Sequence, residues 1–541
     1  MLQVEDALLA SVREWFNFVM ERIPTEEKSQ KGKMKNLTRI THLLMADIEE
    51  GKKQYQATFW EHLNIDYIEI AYKEFDQSLT LITKSLIDAA CDDMSPIQFV
   101  ENSDQPELKS SLRVGTQLFE LYLALQQFYT LGFTVIKKEA ELSEDFTVFH
   151  SWFLRAVAKW LDIALYKAMV RIVRAVQLDN LRPVDELSQH TSSAVDLRTV
   201  LNQIKTFWTQ LSWPDTETNY VFISRIMDDV CKAMIFYAEK MCSKAETHRR
   251  SNTGVNPLVH CTVEQCLAIN NIDLVMTYIN PFIADLGTET VLDKLEQQKG
   301  GLVAAACRKT IRTLMKNSVE NVENQIYTIL EDVGSKMAPT IERFLFEGQI
   351  HNNPQSDRRA LLHYLDENLI FLKSRLVPAN FERVLSIMWA VSAKSLADIV
   401  HKSIEKRKSP HFFVSLYETF KVLLNFFYGD KIPQDSHLLT TKRLLELFAS
   451  DNDHLIVSYY KQRLSDQRAL TSGTFPLGSI SVKIQFLNKH LRIKILNCRH
   501  LKPLGGLQRS QSGEFVNQVY SEGGRGVNIM LQCRNTNNRT L

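Results

Sequence analysis

His260, Cys261 and Cys266 are the one local cluster of soft metal ligands along the chain, and zinc binding is the chemistry they bring to mind. A structural zinc site needs four such ligands in paired short spacings. Here four residues separate the cysteines and no second pair follows, so the cluster reads instead as a helix start with buried thiols. The remaining cysteines, Cys91, Cys231, Cys242, Cys307, Cys498 and Cys533, are scattered and outline no disulfide framework. With no secretory signal in MLQVEDALLASVREWF, the expectation is reduced thiols in the cytoplasm.

No GxxxxGK[ST] phosphate loop occurs, nor GxGxxG after a strand, an HExxH zinc helix or a GxSxG elbow. A triad can assemble from distant residues. Still, the absence of every common signature points away from an enzyme, a bound cofactor, a metal or a small-molecule substrate.

Cations supply a different chemistry. Arg155, Lys159, Lys167, Arg171 and Arg174 fall between apolar residues of one helical pattern. Such a face can meet anionic lipid or acidic helices, or can be the solvated side of a core helix. Lys402, Lys406, Arg407 and Lys408 cluster before Pro410, where a helix C-terminus favours positive charge. Phe412, Phe413, Tyr417, Phe420, Phe426, Phe427 and Tyr428 read as core.

These residues need elements to position them, and the sequence supplies helices. With 541 residues, the chain exceeds the roughly 250–300 that one core supports. It therefore contains several domains or an array of helices. Only 19 Gly and 14 Pro interrupt it, which suits long helices. The net charge of +1 argues against a general nucleic-acid binder. No run of about 18 uncharged apolar residues suggests a membrane span.

Residues 142–178 carry Phe149, Trp152, Phe153, Val157, Trp160, Leu161, Ala164, Leu165, Ala168, Met169 and Ile172 at three- and four-residue steps, which predicts one amphipathic helix. The same pattern predicts helices over 66–91, 219–246, 301–333 and 380–406. Polar loops are expected at 25–36, 93–110, 179–197, 249–257 and 348–358. Asp215 or Thr216 is the expected N-cap after Pro214. Beyond about residue 475, Ser479–Phe486 and Leu491–Leu496 alternate apolar and polar residues and predict two strands, followed by a polar tail.

Several longer stretches carry a family resemblance. They are Phe381-Glu-Arg-Val-Leu-Ser-Ile-Met-Trp-Ala, Leu396-Ala-Asp-Ile-Val, Phe412-Phe-Val-Ser-Leu-Tyr-Glu-Thr-Phe420, Leu423-Leu-Asn-Phe-Phe-Tyr-Gly-Asp430 and His454-Leu-Ile-Val-Ser-Tyr-Tyr-Lys-Gln462. Together they resemble the second Munc homology domain of the UNC-thirteen family. Phe146–Arg155 and Trp160–Ala164 lie where the first is expected. The resemblance covers most of residues 1–497, and is nearest the shorter members of the Munc-thirteen-four and BAI-one-associated-protein-three type.

The resemblance implies an all-α, elongated rod of stacked helical bundles, like subunits of tethering complexes. It divides the chain into an N-terminal part of the MUN region (1–117), the first Munc homology domain (118–245), a connector (246–354), the second homology domain (355–463), the first strands of a truncated C2 domain (478–507) and a disordered tail (508–541). Calcium is a ligand of the family's complete C2 domains. It is not expected here, because Leu501-Lys-Pro-Leu-Gly-Gly506 leads into no Asp cluster.

The implied function is a non-enzymatic tethering or priming scaffold in SNARE-dependent exocytosis. Syntaxin-like SNAREs and Rab-type small GTPases would be its partners, at vesicle, endosomal or plasma membranes. A generic helical adaptor is the alternative.

Overall fold

The computed structural model describes residues 2–22, 30–95, 97–101, 106–136, 144–251, 260–347, 354–429, 436–469, 479–487 and 490–499. By contacts the chain divides into two units, Met1–Ala449 and Ser450–Leu541.

The first unit is all-α, as the helical period predicts. It opens with α1 (Leu2–Glu21), α2 (Gln30–Gln54), α3 (Gln56–Leu63), α4 (Tyr67–Asp92) and α5 (Pro106–Val135). The short α6 (Glu144–Thr147) leads to α7 (Leu154–Leu178), α8 (Ser192–Leu211), α9 (Thr216–Ser251) and α10 (Val263–Thr277). Then come α11 (Ile279–Asp285), α12 (Thr288–Lys299), α13 (Gly301–Glu347), α14 (Pro354–Arg375), α15 (Pro378–Glu405), α16 (Pro410–Tyr428) and α17 (Ser436–Ala449).

Neighbouring bundles share helices. α2 packs on α4 and α5, α7 on α8 and α9, α9 on α10 and α13, and α13 on α15. The apolar faces thus merge into one continuous core that runs from Val12 to Leu445. Most long helices bury a stripe against two or more partners, which is where most helical stability comes from.

Several predicted loops end sooner than expected. α2 begins at Gln30, α5 at Pro106, α8 at Ser192 and α14 at Pro354. Proline is suited to the first helical position, where its missing N–H would have no partner. Pro106, Pro354, Pro378 and Pro410 all head helices rather than only breaking them. Pro339 lies inside the 47-residue α13, where it removes one backbone hydrogen bond.

The single helix predicted over 142–178 is also divided. A 3-10 turn, Phe149–Phe153, intervenes between α6 and α7. It buries Phe149, Trp152 and Phe153 together, and three residues per turn lets 149 and 152 share one side.

Caps follow the sequence signals. The Asp215 carboxylate accepts from the Thr218 amide at 2.9 Å and so caps α9, as one of the two expected residues. Thr262 and Gln265 form a reciprocal capping box at the start of α10.

Among the described residues only α15 is long and apolar enough to cross a membrane, with a mean hydropathy of 1.3. It carries Lys394 and Asp398, and buries Val384, Met388, Leu396 and Val400 in the core. Those are the features of a core helix.

In the second unit, α18 (Asn452–Ala469) precedes the antiparallel pair β1 (Ser479–Leu487) and β2 (His490–Arg499). The pair runs from Ser479↔Arg499 to Leu487↔His490, with an irregularity between Ser481 and Val482. The two strands expected from alternation are present. The calcium-loop segment 501–506 and the expected disordered tail 508–541 lie outside the described residues.

Candidate functional site

The five predicted cations sit on α7, but the structure gives them two different jobs. The Arg155 guanidinium donates to the Asp92 carboxylate at 2.5 Å and lies 3.8 Å from Asp88. That hydrogen bond pushes the Arg155 pKa further up. Lys159 donates to the Met94 carbonyl at 2.9 Å. Both residues hold the C-terminal end of α4, where cations suit the helix dipole. Beside them Cys91 is buried, and burial pushes its thiol up to about 11.

Lys167, Arg171 and Arg174 are exposed and face a groove instead. Its walls are α5, α7 and α8, and it encloses about 590 Å³. Phe119, Trp160, Ile163, Ile204 and Phe207 form an apolar floor. Lys167 and Arg171 stand on one rim, and Gln203 opposite accepts from Arg171 at 2.5 Å. A further hollow of about 300 Å³ shares Arg171, Val200 and Gln203 and extends the groove past Arg174 and Asp196 to Leu178.

The floor is fixed by its own geometry. The Trp160 indole N–H donates to the Gly115 carbonyl at 2.8 Å. Phe119 meets Trp160 edge-on at 5.6 Å and Phe207 at 5.0 Å, within the range of favourable aromatic pairs. Gly115 permits the close approach, because a Cβ there would stand 2.9 Å from Ile163 Cδ1. Phe119, Ile204 and Phe207 are only half-buried, so they offer apolar surface to a partner. The sequence reading found the cations but missed the α5 and α8 walls. Their signal is the surplus of half-buried apolar positions at helical spacing.

The other candidate clusters resolve as structure. Cys261 and Cys266 are buried, with Sγ atoms 3.6 Å apart beside the α10 capping box. The hydrogen bond to Cys266, together with burial, raises the Cys261 pKa well above the usual thiol range. His260 packs edge-on to Tyr364 at 6.3 Å. Lys406, Arg407 and Lys408 close α15: their amides donate to Lys402, Ile404 and Ser403 carbonyls, and Arg407 takes φ 49°. Phe412, Phe413 and Phe420 are buried, and Trp389 meets Phe427 at 5.6 Å and Tyr428 at 5.2 Å.

A polar seam that sequence reasoning did not find runs through α10. The Asn270 amide donates to the carbonyls of Gln189 at 3.1 Å and Arg375 at 2.8 Å. Its oxygen accepts from the Val377 amide at 3.1 Å and Asn380 at 3.2 Å. Asn271 exchanges two bonds with Thr191, at 2.9 and 2.7 Å, and Thr191 donates to the buried Asp179. The seam ties the loop before α8 to the start of α15 and uses both donors of the Asn270 amide.

The structure is thus an all-α array of bundles that carries an apolar groove with a cationic rim. The MUN domain family profile matches residues 20–406, and the chain belongs to that family. It is 31% identical over 508 residues to Protein unc-13 homolog 4B of Drosophila melanogaster, covering 93% of this chain and 43% of that protein. The human Protein unc-13 homolog D is 24% identical, covering 93% of this chain and 44% of the relative. BAI1-associated protein 3 of Mus musculus is 24% identical, with 93% and 42% covered. The chain therefore spans less than half the length of these curated relatives.

Proposed function

We propose that this chain is the helical scaffold of a vesicle tethering or priming protein that promotes SNARE-dependent membrane fusion in regulated exocytosis. Membership of the MUN family supports that reading. Residues 118–245 and 355–463 are the segments proposed as its two Munc homology domains. Rab-type GTPases and a cytoplasmic location, peripheral at membranes, belong to the same proposal. The mechanism requires no bond chemistry: a stiff scaffold raises the effective concentration of partners and fixes their register.

The observation that carries the proposal is the α5–α7–α8 groove. Its apolar floor fits the apolar stripe of an amphipathic helix, read at i, i+3, i+4 and i+7. Lys167, Arg171 and Arg174 along one side favour a helix with acidic flanks, and the expected occupant is a syntaxin-like SNARE helix.

Titration of the full chain with a syntaxin cytoplasmic region tests this. Saturable binding is expected, weakened about tenfold or more by Phe119→Ala with Phe207→Ala, since central aromatic anchors carry most of the energy of an interface. Lys167→Glu with Arg171→Glu should slow association most at low salt. Absence of binding, or binding indifferent to both pairs, would overturn the groove as the SNARE site and leave a generic helical adaptor.

A further inference from the structure

The turn between α12 and α13 presents an apolar tip beside a cationic stripe, and neither belongs to the groove. Gly300, with φ +90°, ends α12, and Gly301 opens α13. Leu302, the first side chain after the turn, is 91% exposed, and Val303 is 44% exposed. An aliphatic side chain so bare serves no core.

Leu302, Ala305, Lys309, Arg312 and Lys316 follow at steps of three and four, so they share one face of α13. Arg308, Lys309, Arg312 and Lys316 border a shallow depression of about 310 Å³. Arg308 is held by α12, 3.1 Å from Glu289 and 3.5 Å from Asp293. Lys316 lies 3.5 Å from Glu320. Lys309 and Arg312 make no ion pair among the described residues, and both are exposed.

We propose that this face docks on an anionic lipid surface. Leu302 and Val303 enter the boundary between headgroups and acyl chains, while Lys309, Arg312 and Lys316 meet the headgroup phosphates. Two observations favour a bilayer over an acidic peptide. The apolar part protrudes at a helix end, as an inserting residue must, whereas the shallow depression beside it is lined by cations, Ala305 and Thr313 and offers a docking peptide no apolar pocket for its own side chains. The cations lie on the same face and continue from the tip, so insertion and phosphate contact occur together. Each signal alone is weak, and stable membrane binding takes both. The chain's net charge of +1 makes the attraction local to this patch. The surface is separate from the α5–α7–α8 groove, so its failure would leave the helix-docking proposal standing.

The test is co-sedimentation of the full chain with phosphatidylcholine vesicles, with and without phosphatidylserine. Binding is expected with phosphatidylserine only. Lys309→Glu, Arg312→Glu and Lys316→Glu together should weaken it about a hundredfold, at roughly fivefold per cation. Leu302→Ser with Val303→Ser should weaken it about tenfold, with unchanged melting because both side chains are exposed. In a Leu302→Trp variant the added indole's emission should shift to the blue on these vesicles, a gain of signal that needs no loss of function. Binding untouched by the charge reversal would overturn the proposal. So would sensitivity to charge alone, with the serine pair and the tryptophan emission unaffected, because that pattern belongs to an acidic protein partner.

Discussion

Arg383 and Asp273 stand 2.7 Å apart although 110 residues separate them in the chain, and their side chains are 15% and 11% exposed. Arg383 also donates to Asn380 at 2.6 Å and to Glu323 at 3.0 Å. One guanidinium therefore joins α10, α13 and α15. Burial alone would lower its pKa, but the hydrogen bonds to Asp273 and Glu323 outweigh that and raise it.

Removing this cation leaves Asp273 nearly buried without its partner. Arg383→Met is expected to destabilise the chain by roughly 3 kcal/mol, read as a lower denaturant midpoint. The double variant Arg383→Met with Asp273→Leu should recover a large part of the loss, because the nearly buried Asp273 charge is then gone and Glu323, 35% exposed, can turn to water. A double variant as unstable as the sum of both singles would show that the pair is not coupled.

Asn270 serves four partners from the two ends of one amide. Asn270→Leu should cost about 2 kcal/mol or more by orphaning buried carbonyls and an amide. Asn270→Asp should be no better, since a carboxylate oxygen would then face two carbonyl oxygens. Hydrogen exchange at Val377 would rise in both variants if the seam holds the start of α15, and would stay protected if packing alone does so.

Asp229 is 8% exposed, and its Oδ2 has no hydrogen-bond partner. Burial, only partly offset by Arg225 and Lys232, pushes its pKa up to about 6. The folded state therefore binds this proton more tightly than the unfolded chain, whose carboxyl titrates near 4. Stability from this site rises as pH falls from about 6 to about 4, and is missing at neutral pH. Asp229→Asn should accordingly stabilise the chain at pH 7.5, by about 2 kcal/mol. The difference between the variant and the parent should shrink toward pH 4. A difference that is constant with pH would refute the assignment.

Gly132 faces the Tyr72 hydroxyl so closely that any Cβ would collide with it. Tyr72 is buried, stacks on Phe128 at 4.6 Å and donates to the Phe128 carbonyl at 3.1 Å. Gly132→Ala is expected to destabilise by about 1–3 kcal/mol despite its better helix propensity. Tyr72→Phe combined with Gly132→Ala should restore part of it. A stabilised single variant would mean that α4 and α5 can separate freely.

Much of this was legible in the chain. The three- and four-residue recurrence of Val157 through Ile172 specifies an amphipathic helix, since periodicity is a local property, whereas the same spacing from Phe149 to Phe153 belongs to a 3-10 turn. Asp215 or Thr216 after Pro214 announced a helix start for the same reason, and apolar–polar alternation announced the strand pair after residue 475. Loop ends were less legible. A proline at the head of α5 or α14 looks the same in sequence as a proline that breaks a helix.

α10 shows the limit most clearly. From Gln265 to Met276 nearly every residue is buried, including Asn270, Asn271 and Asp273. A helix enclosed on all sides has no solvent face, so no periodic contrast marks it, and its polar residues resemble surface residues. Their partners come from 80 to 110 positions away. The groove depends on the same kind of information, because Phe119, Trp160 and Phe207 lie on three helices. The sequence determined which segments are helical and, for the amphipathic ones, which face is apolar, because those follow from propensity and spacing along the chain. Tertiary structure alone decided which cations face a groove and which polar groups lock the bundles together, because pairing depends on how distant segments pack.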